Sequence, residues 1–91
     1  MSLFDKRPKP VSGFTIEELD GELLLFHPLS QKILRTNKTG ALVWQLCDGT
    51  RTVNELAALL AAAFPDGGDG LRADVAEIVQ AFVAHGALSL V

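Results

Sequence analysis

Cysteine and histidine are nearly absent from this chain of 91 residues, which has one cysteine, Cys47, and two histidines, His27 and His85. A lone thiol excludes an internal disulfide and fits a reducing compartment. No two of these residues stand at metal-ligand spacing, so a zinc site would need distant groups to converge, and no metal ligand is assigned. Long apolar runs are also missing. Nothing approaches the ~20 residues that span a bilayer. Asp5, Lys6, Arg7 and Lys9 leave no apolar run behind Met1 to act as a signal. The expectation is a cytoplasmic protein. Basic charge is scarce as well: the formal net charge is −3 and the sequence pI about 5.2. Lysine and arginine gather only in Lys6-Arg7-Pro8-Lys9 and loosely at Lys32, Arg35 and Lys38. Duplex DNA is held largely through neutralised phosphates, so an acidic chain starts at a disadvantage there.

Hydrophobic residues, at 48% of the sequence, are plentiful enough for a core without staples. The length predicts one domain. Residues 1–13 hold prolines, a glycine and charges without periodicity and are expected to form a flexible arm, leaving residues 14–91 as the domain. From Phe14 to Leu19 the pattern alternates. Asp20-Gly21 is a two-residue hairpin signal, and the run Leu23-Leu24-Leu25-Phe26 predicts a strand covered on both faces. After Pro28-Leu29-Ser30-Gln31 comes a third short strand, Lys32-Ile33-Leu34-Arg35-Thr36. Three strands joined by short turns form an antiparallel meander.

The period then lengthens. Asn37 is a good helix cap, and Leu42, Val43, Leu46 and Cys47 follow at helical spacing up to Asp48-Gly49. Thr52-Val53-Asn54-Glu55 has the pattern of a capping box and opens a second helix reaching about Phe64. A third runs from about Leu71 to His85 and closes at Gly86, followed by an extended tail, Ala87–Val91. Strands followed by helices make an α+β domain. Its expected form is winged-helix-like, a three-stranded antiparallel sheet followed by three helices.

Catalytic chemistry is hard to find, and no catalytic residue is assigned. A Cys47 nucleophile activated by a histidine is conceivable, but Cys47 falls on the apolar side of its helix, where a thiol behaves as a small hydrophobe. Glu17 and Glu18 point to opposite faces of a strand. The loop Pro65-Asp66-Gly67-Gly68-Asp69-Gly70 lacks the oxygen ladder and closing glutamate of a calcium loop. It also lacks the lysine and hydroxyl residue of a phosphate loop, so it is taken as a linker. No cofactor pattern is present. Trp44 belongs either to the core flank of the first helix or to a binding surface.

The third helix says more. With residues ~100° apart and Val75 at zero, Leu71, Ile78 and Phe82 cluster to one side and Val79 to the other. Arg72 at ~60°, Val83 at ~80° and Ala76 at ~100° widen the stripe to ~160°, beyond the ~100° that one core contact needs. The extra shoulder either packs beneath a strand or walls an apolar groove. The third strand, ending the meander with Lys32 and Arg35, is either an edge protected by charge or a rail to which an extended peptide adds.

From Asn37 to Leu56 the sequence NKTGALVWQLCDGTRTVNEL strongly resembles the PqqD family, named for pyrroloquinoline quinone biosynthesis protein D. The family pattern runs Asn-x-Thr-(Gly or Ala), an aliphatic-Trp pair, Leu-x-Asp-Gly, then Thr-aliphatic-x-Glu-aliphatic. The Pro28 turn, Asp74-Val75 and Gly86-Ala87-Leu88 agree with it, so the likeness covers about residues 14–90. The resemblance implies a non-catalytic recognition element for ribosomally made, post-translationally modified peptides. Such an element binds the leader segment of a precursor as an added strand and presents it to a radical S-adenosylmethionine protein or a leader peptidase. Carried over by position, the implied peptide site comprises Lys32, Ile33, Leu34, Arg35 and Thr36, with Arg72, Val75, Ala76, Val79 and Val83 opposite. The signature residues themselves, Asn37, Thr39, Gly40, Asp48 and Gly49, have structural jobs. Gly40, where quinone-pathway members often carry alanine, leaves that pathway and other peptide pathways open. The competing reading is a winged-helix DNA-binding regulator, disfavoured because the third helix offers Arg72 against Asp74 and Glu77. A homodimer formed by exchange of the third helix about residues 65–70 also stays open.

Overall fold

The computed structural model describes residues 2–65 and 70–91. A single 3-10 turn, Leu3–Asp5, precedes strands β1 (Pro8–Pro10), β2 (Thr15–Leu19), β3 (Glu22–His27) and β4 (Lys32–Thr36). Helices α1 (Lys38–Leu46), α2 (Val53–Ala63) and α3 (Leu71–Ala84) follow, and β5 (Leu88–Leu90) ends the order. Strands β2, β3 and β4 form the expected antiparallel meander in that spatial order, and three helices come after it. The fold is α+β. No helix among the described residues is long and apolar enough to cross a membrane.

Local chemistry places each junction. Asp20 (φ 53°) and Gly21 (φ 83°) both lie in the left-handed region, the geometry that lets a two-residue turn join twisted strands. The Asn37 side chain accepts a hydrogen bond from the Gly40 N–H at 2.8 Å and starts α1. At the next helix the capping box is complete: Thr52 Oγ1 accepts from the Glu55 N–H at 3.1 Å, and Glu55 accepts from the Thr52 N–H at 3.0 Å. Those bonds hold the Glu55 carboxyl below its usual range. Asp48 is likewise held low, because its carboxylate accepts from the Thr50 hydroxyl at 2.6 Å and the Thr50 N–H at 2.9 Å.

The core lies between the inner face of the meander and the helices. Leu25, Val43, Val53, Leu56, Val75 and Val79 have no exposed surface, and Leu60 and Phe82 almost none. Burial of side chains of this size stabilises by roughly 1.5–3 kcal/mol each. Trp44 belongs to this core, with its ring 5.3 Å from that of Phe82.

Two expectations are corrected. The arm expected over residues 1–13 carries β1, which pairs with β5 in register Pro8↔Leu90, Lys9↔Ser89, Pro10↔Leu88. Arg7 and Val91 exchange backbone hydrogen bonds at 2.9 and 3.0 Å, and Val11 donates to Ala87 at 2.9 Å. Hydrogen-bonded and non-bonded pairs alternate along an antiparallel ladder. Pro8 and Pro10 therefore fall at the positions that need no donor, which is why proline is tolerated here. Pro8 is fully buried, and its carbonyl accepts from the Gly49 N–H at 2.9 Å. The second correction concerns β3. Leu23 and Leu25 face the core, but the other face is open: Leu24 is half-buried and Phe26 is 37% exposed. Neighbours on that outer face, Leu19 at 63% and Ile33 at 62%, are exposed too. The linker Pro65–Gly70 and the exchange hinge assigned to it rest on residues 66–69, which lie outside the described residues.

Candidate peptide-docking groove

Strand β4 pairs with β3 on one side and, among the described residues, with no strand on the other. Half of its backbone donors and acceptors, those of alternate residues, therefore point away from the sheet. The register Leu25↔Leu34 and Leu23↔Thr36 puts Leu34 and Thr36 on the core-facing side, with Lys32 opposite His27 at the end of the same row. Ile33 and Arg35 take the other face. There Arg35 meets Glu22 at 3.4 Å in a largely exposed ion pair, of the kind worth little to stability.

Helix α3 packs on α1, α2 and β5 and stands off from β4. The gap is a cavity of about 190 Å³ lined by Leu34, Thr36, Gly40, Ile78, Ala81 and Phe82, among others. Its floor is apolar. An apolar cavity of about 150 Å³ is known to accommodate benzene, so the space suits one hydrophobic side chain. Gly40 lets α1 pack closely on Thr36 at this end of the groove: a Cβ there would stand 2.9 Å from Thr36 Cβ, closer than such atoms approach. At the Thr36 end a second cavity of about 330 Å³ continues past Ile78 to Asn37, Thr39, Asp74 and Glu77. At the opposite end Lys32 Nζ reaches the C-terminus of α3, within 3.6 Å of where a Gly86 Cβ would stand.

Of the predicted site residues, Leu34, Arg35 and Thr36 line this cavity and Lys32 stands at its Gly86 end, whereas Ile33 is on the opposite face of the strand. The predicted α3 set lies elsewhere. Val75 and Val79 are fully buried in the core. Arg72 is turned toward α2 and the N-terminal turn, donating to Asn54 Oδ1 at 3.2 and 3.0 Å with its guanidinium carbon 3.8 Å from the Phe4 ring centroid. Ala76 and Val83 lie within ~40° of Arg72 on the helix, so they share that side. Ile78 and Ala81 are ~120–180° away from Arg72, and they form the wall facing β4. Sequence periodicity missed Ile78, Ala81 and Phe82 as groove residues. The stripe on α3 has two flanks, and spacing alone gives no sign of which one meets the strand edge.

The thiol and the two imidazoles sit in structural contacts. Cys47 is buried, and that burial, reinforced by the Asp48 carboxylate, pushes its thiol up to about 12. His27 stacks edge-on to Phe14 at 4.9 Å, and its Nδ1 accepts from the Ser30 N–H at 3.3 Å. His85 Nδ1 lies 2.8 Å from the Ala81 carbonyl oxygen, back along its own helix. Among the described residues no three His, Cys, Asp or Glu side chains converge to hold a metal ion.

The family described as Coenzyme PQQ synthesis protein D (PqqD) matches residues 22–88, which run from β3 to the start of β5. No curated protein matches the sequence significantly. Among solved structures, one described as "TbiB1 in Complex with the TbiA(beta) Leader Peptide" superposes with a TM-score of 0.75. It shares 16% identity over 89% of this chain and 94% of its own. At that identity the likeness is one of fold.

Proposed function

This chain belongs to the PqqD family, and from that premise we propose that it binds the leader segment of a ribosomally synthesised precursor peptide. The leader adds as an extended strand along β4 and is presented to a modifying enzyme. The observation that carries the reading is the open edge of β4 lying directly beside an apolar groove. Strand addition needs both parts: the edge supplies backbone affinity and the groove selects side chains on alternate positions. TbiB1, which shares the fold, is described in complex with a leader peptide.

On this reading the docking residues are Lys32–Thr36, through backbone and the inward side chains, with Ile78, Ala81 and Phe82 opposite. The role is non-catalytic: the partner, a radical S-adenosylmethionine protein or a leader peptidase in the cytoplasm, does the chemistry. The DNA-binding alternative has little to stand on. Arg72, the sole basic residue of α3, is engaged by Asn54 and Phe4, whereas a recognition helix needs free basic groups for phosphates and base edges.

Amide NMR titration with the leader of a short precursor encoded beside this gene tests the proposal. Shifts are expected at residues 32–36 and at Gly40, Ile78, Ala81 and Phe82. Shifts confined to the Arg72–Ala76–Val83 side, or none even with the partner enzyme added, would overturn it.

A further inference from the structure

The groove carries opposite charge at its two ends. Lys32 marks one end, its ammonium near Gly86 at the C-terminus of α3. Asp74 and Glu77 mark the other, around the cavity that continues past Thr36 and Ile78. Among the described residues none of these three side chains is in an ion pair. The apolar cavity of about 190 Å³ lies between the two poles. A strand advances ~3.3 Å per residue, and alternate side chains share a face. Three successive inward positions of an added strand therefore fall opposite Thr36, Leu34 and Lys32, about 6.6 Å apart.

We infer that this groove selects an extended peptide of the pattern basic-x-apolar-x-acidic, read from its N-terminus and laid antiparallel to β4. The inference rests on the peptide-docking reading above and adds its substrate class. The basic residue meets Asp74 and Glu77, the apolar one enters the cavity against Ile78, Ala81 and Phe82, and the acidic one meets Lys32. Antiparallel addition follows the rest of the sheet, in which both pairings are antiparallel, and it is the slightly more stable arrangement per residue. Arg35 also borders the cavity, but its guanidinium is drawn to Glu22 on the outer face, which leaves the Lys32 ammonium as the cation of β4 that is free of an ion pair among the described residues. The ligand is therefore a segment with a charge order, rather than an acidic peptide as such.

A display library of random twelve-residue peptides, selected against the full chain, tests this. Enriched peptides are expected to share the basic-x-apolar-x-acidic order. A synthetic member should bind about tenfold tighter than the same peptide with its two charges exchanged, since the exchange turns two exposed attractions into repulsions. The preference should shrink as salt is raised beyond ~0.15 M, where screening acts within ~8 Å. In the triple variant Lys32→Glu, Asp74→Lys, Glu77→Lys, which exchanges the sign of both poles, the preferred order should reverse. Enriched peptides with an apolar anchor but no charge order, or the opposite order, would overturn this inference and leave peptide docking standing. If nothing is enriched, peptide docking itself falls and the charge order with it; binding that is indifferent to Ala81→Glu would put the peptide outside this groove and overturn the charge order.

Discussion

Ala81 gives the cleanest access to the groove, because it is exposed, lines the apolar cavity and carries no packing load. Replacing it by glutamate projects a carboxylate into the space where a leader side chain would sit. Burial of a leucine or isoleucine anchor is worth roughly 1.5–3 kcal/mol, and a carboxylate beside it would have to be desolvated without a partner. Ala81→Glu should therefore weaken leader binding by about 10- to 100-fold. Its cost to the fold should stay within about 0.5 kcal/mol, as for other exposed helix substitutions. Ala84→Glu, also exposed and outside the groove lining, is the matched control and should leave affinity unchanged. The contrast with Val79 matters: that residue has no exposed surface, so Val79→Asp would bury an unpaired charge and unfold the chain. Fluorescence anisotropy with a labelled leader, alongside thermal melts of each variant, separates the two effects. A folded Ala81→Glu protein that binds within twofold of the parent would refute the placement of the groove.

Deleting residues 1–11 removes the Arg7–Val91 and Val11–Ala87 bonds, the Gly49 donation to Pro8 and the Val53 donation to Lys6 at 3.0 Å. At about 0.5–1.5 kcal/mol for each bond, the loss should be roughly 2.5–7.5 kcal/mol in urea denaturation, whereas a dispensable arm would show none. Gly40→Ala should destabilise by about 1–3 kcal/mol through its close approach to Thr36 Cβ, although alanine is the better helix former by about 1 kcal/mol. A rise in melting temperature would show that Thr36 yields. Cys47 should resist a disulfide reagent at pH 8 until the chain unfolds, and fast labelling of the native protein would contradict its burial. Because its thiol is raised from 9.0 to about 12 in the fold, that contribution to stability is complete below pH 9. It is lost as the pH climbs through 9 toward 12, visible as a falling melting temperature.

Most of the fold was legible because its junctions are made by local chemistry. The Asp20-Gly21 turn, the Asn37 cap and the Thr52–Glu55 box each depend on residues within three positions of one another. Their signals therefore survive in a bare sequence. Strand β1 depends on a partner some eighty residues away, and its two prolines argue locally against a strand. Only the alternation of the ladder, once β5 is in place, shows that those prolines fall where no donor is required. The open outer face of β3 was hidden for a related reason. An apolar run says that a strand is hydrophobic on both sides, and not whether anything covers the second one.

The candidate groove was legible by half, on its strand side, and the division follows from symmetry. Strand β4 announced itself through its position at the end of a meander, which leaves one edge without a neighbour whatever the helices do. A helix wheel has no such asymmetry. Beside the Val75–Val79–Phe82 core lie two flanks, Arg72–Ala76–Val83 and Ile78–Ala81, and both border apolar residues. The packing of α2 breaks the tie, since Asn54 and Phe4 claim Arg72 and with it the first flank. That leaves Ile78 and Ala81 toward β4. The signature from Asn37 to Glu55 thus serves the groove indirectly: it sets the start of α1 against Thr36 and the start of α2 against α3. A substitution that loosened the Arg72–Asn54 contact, such as Asn54→Ala, should then disturb α3 as a wall of the groove without touching the groove itself.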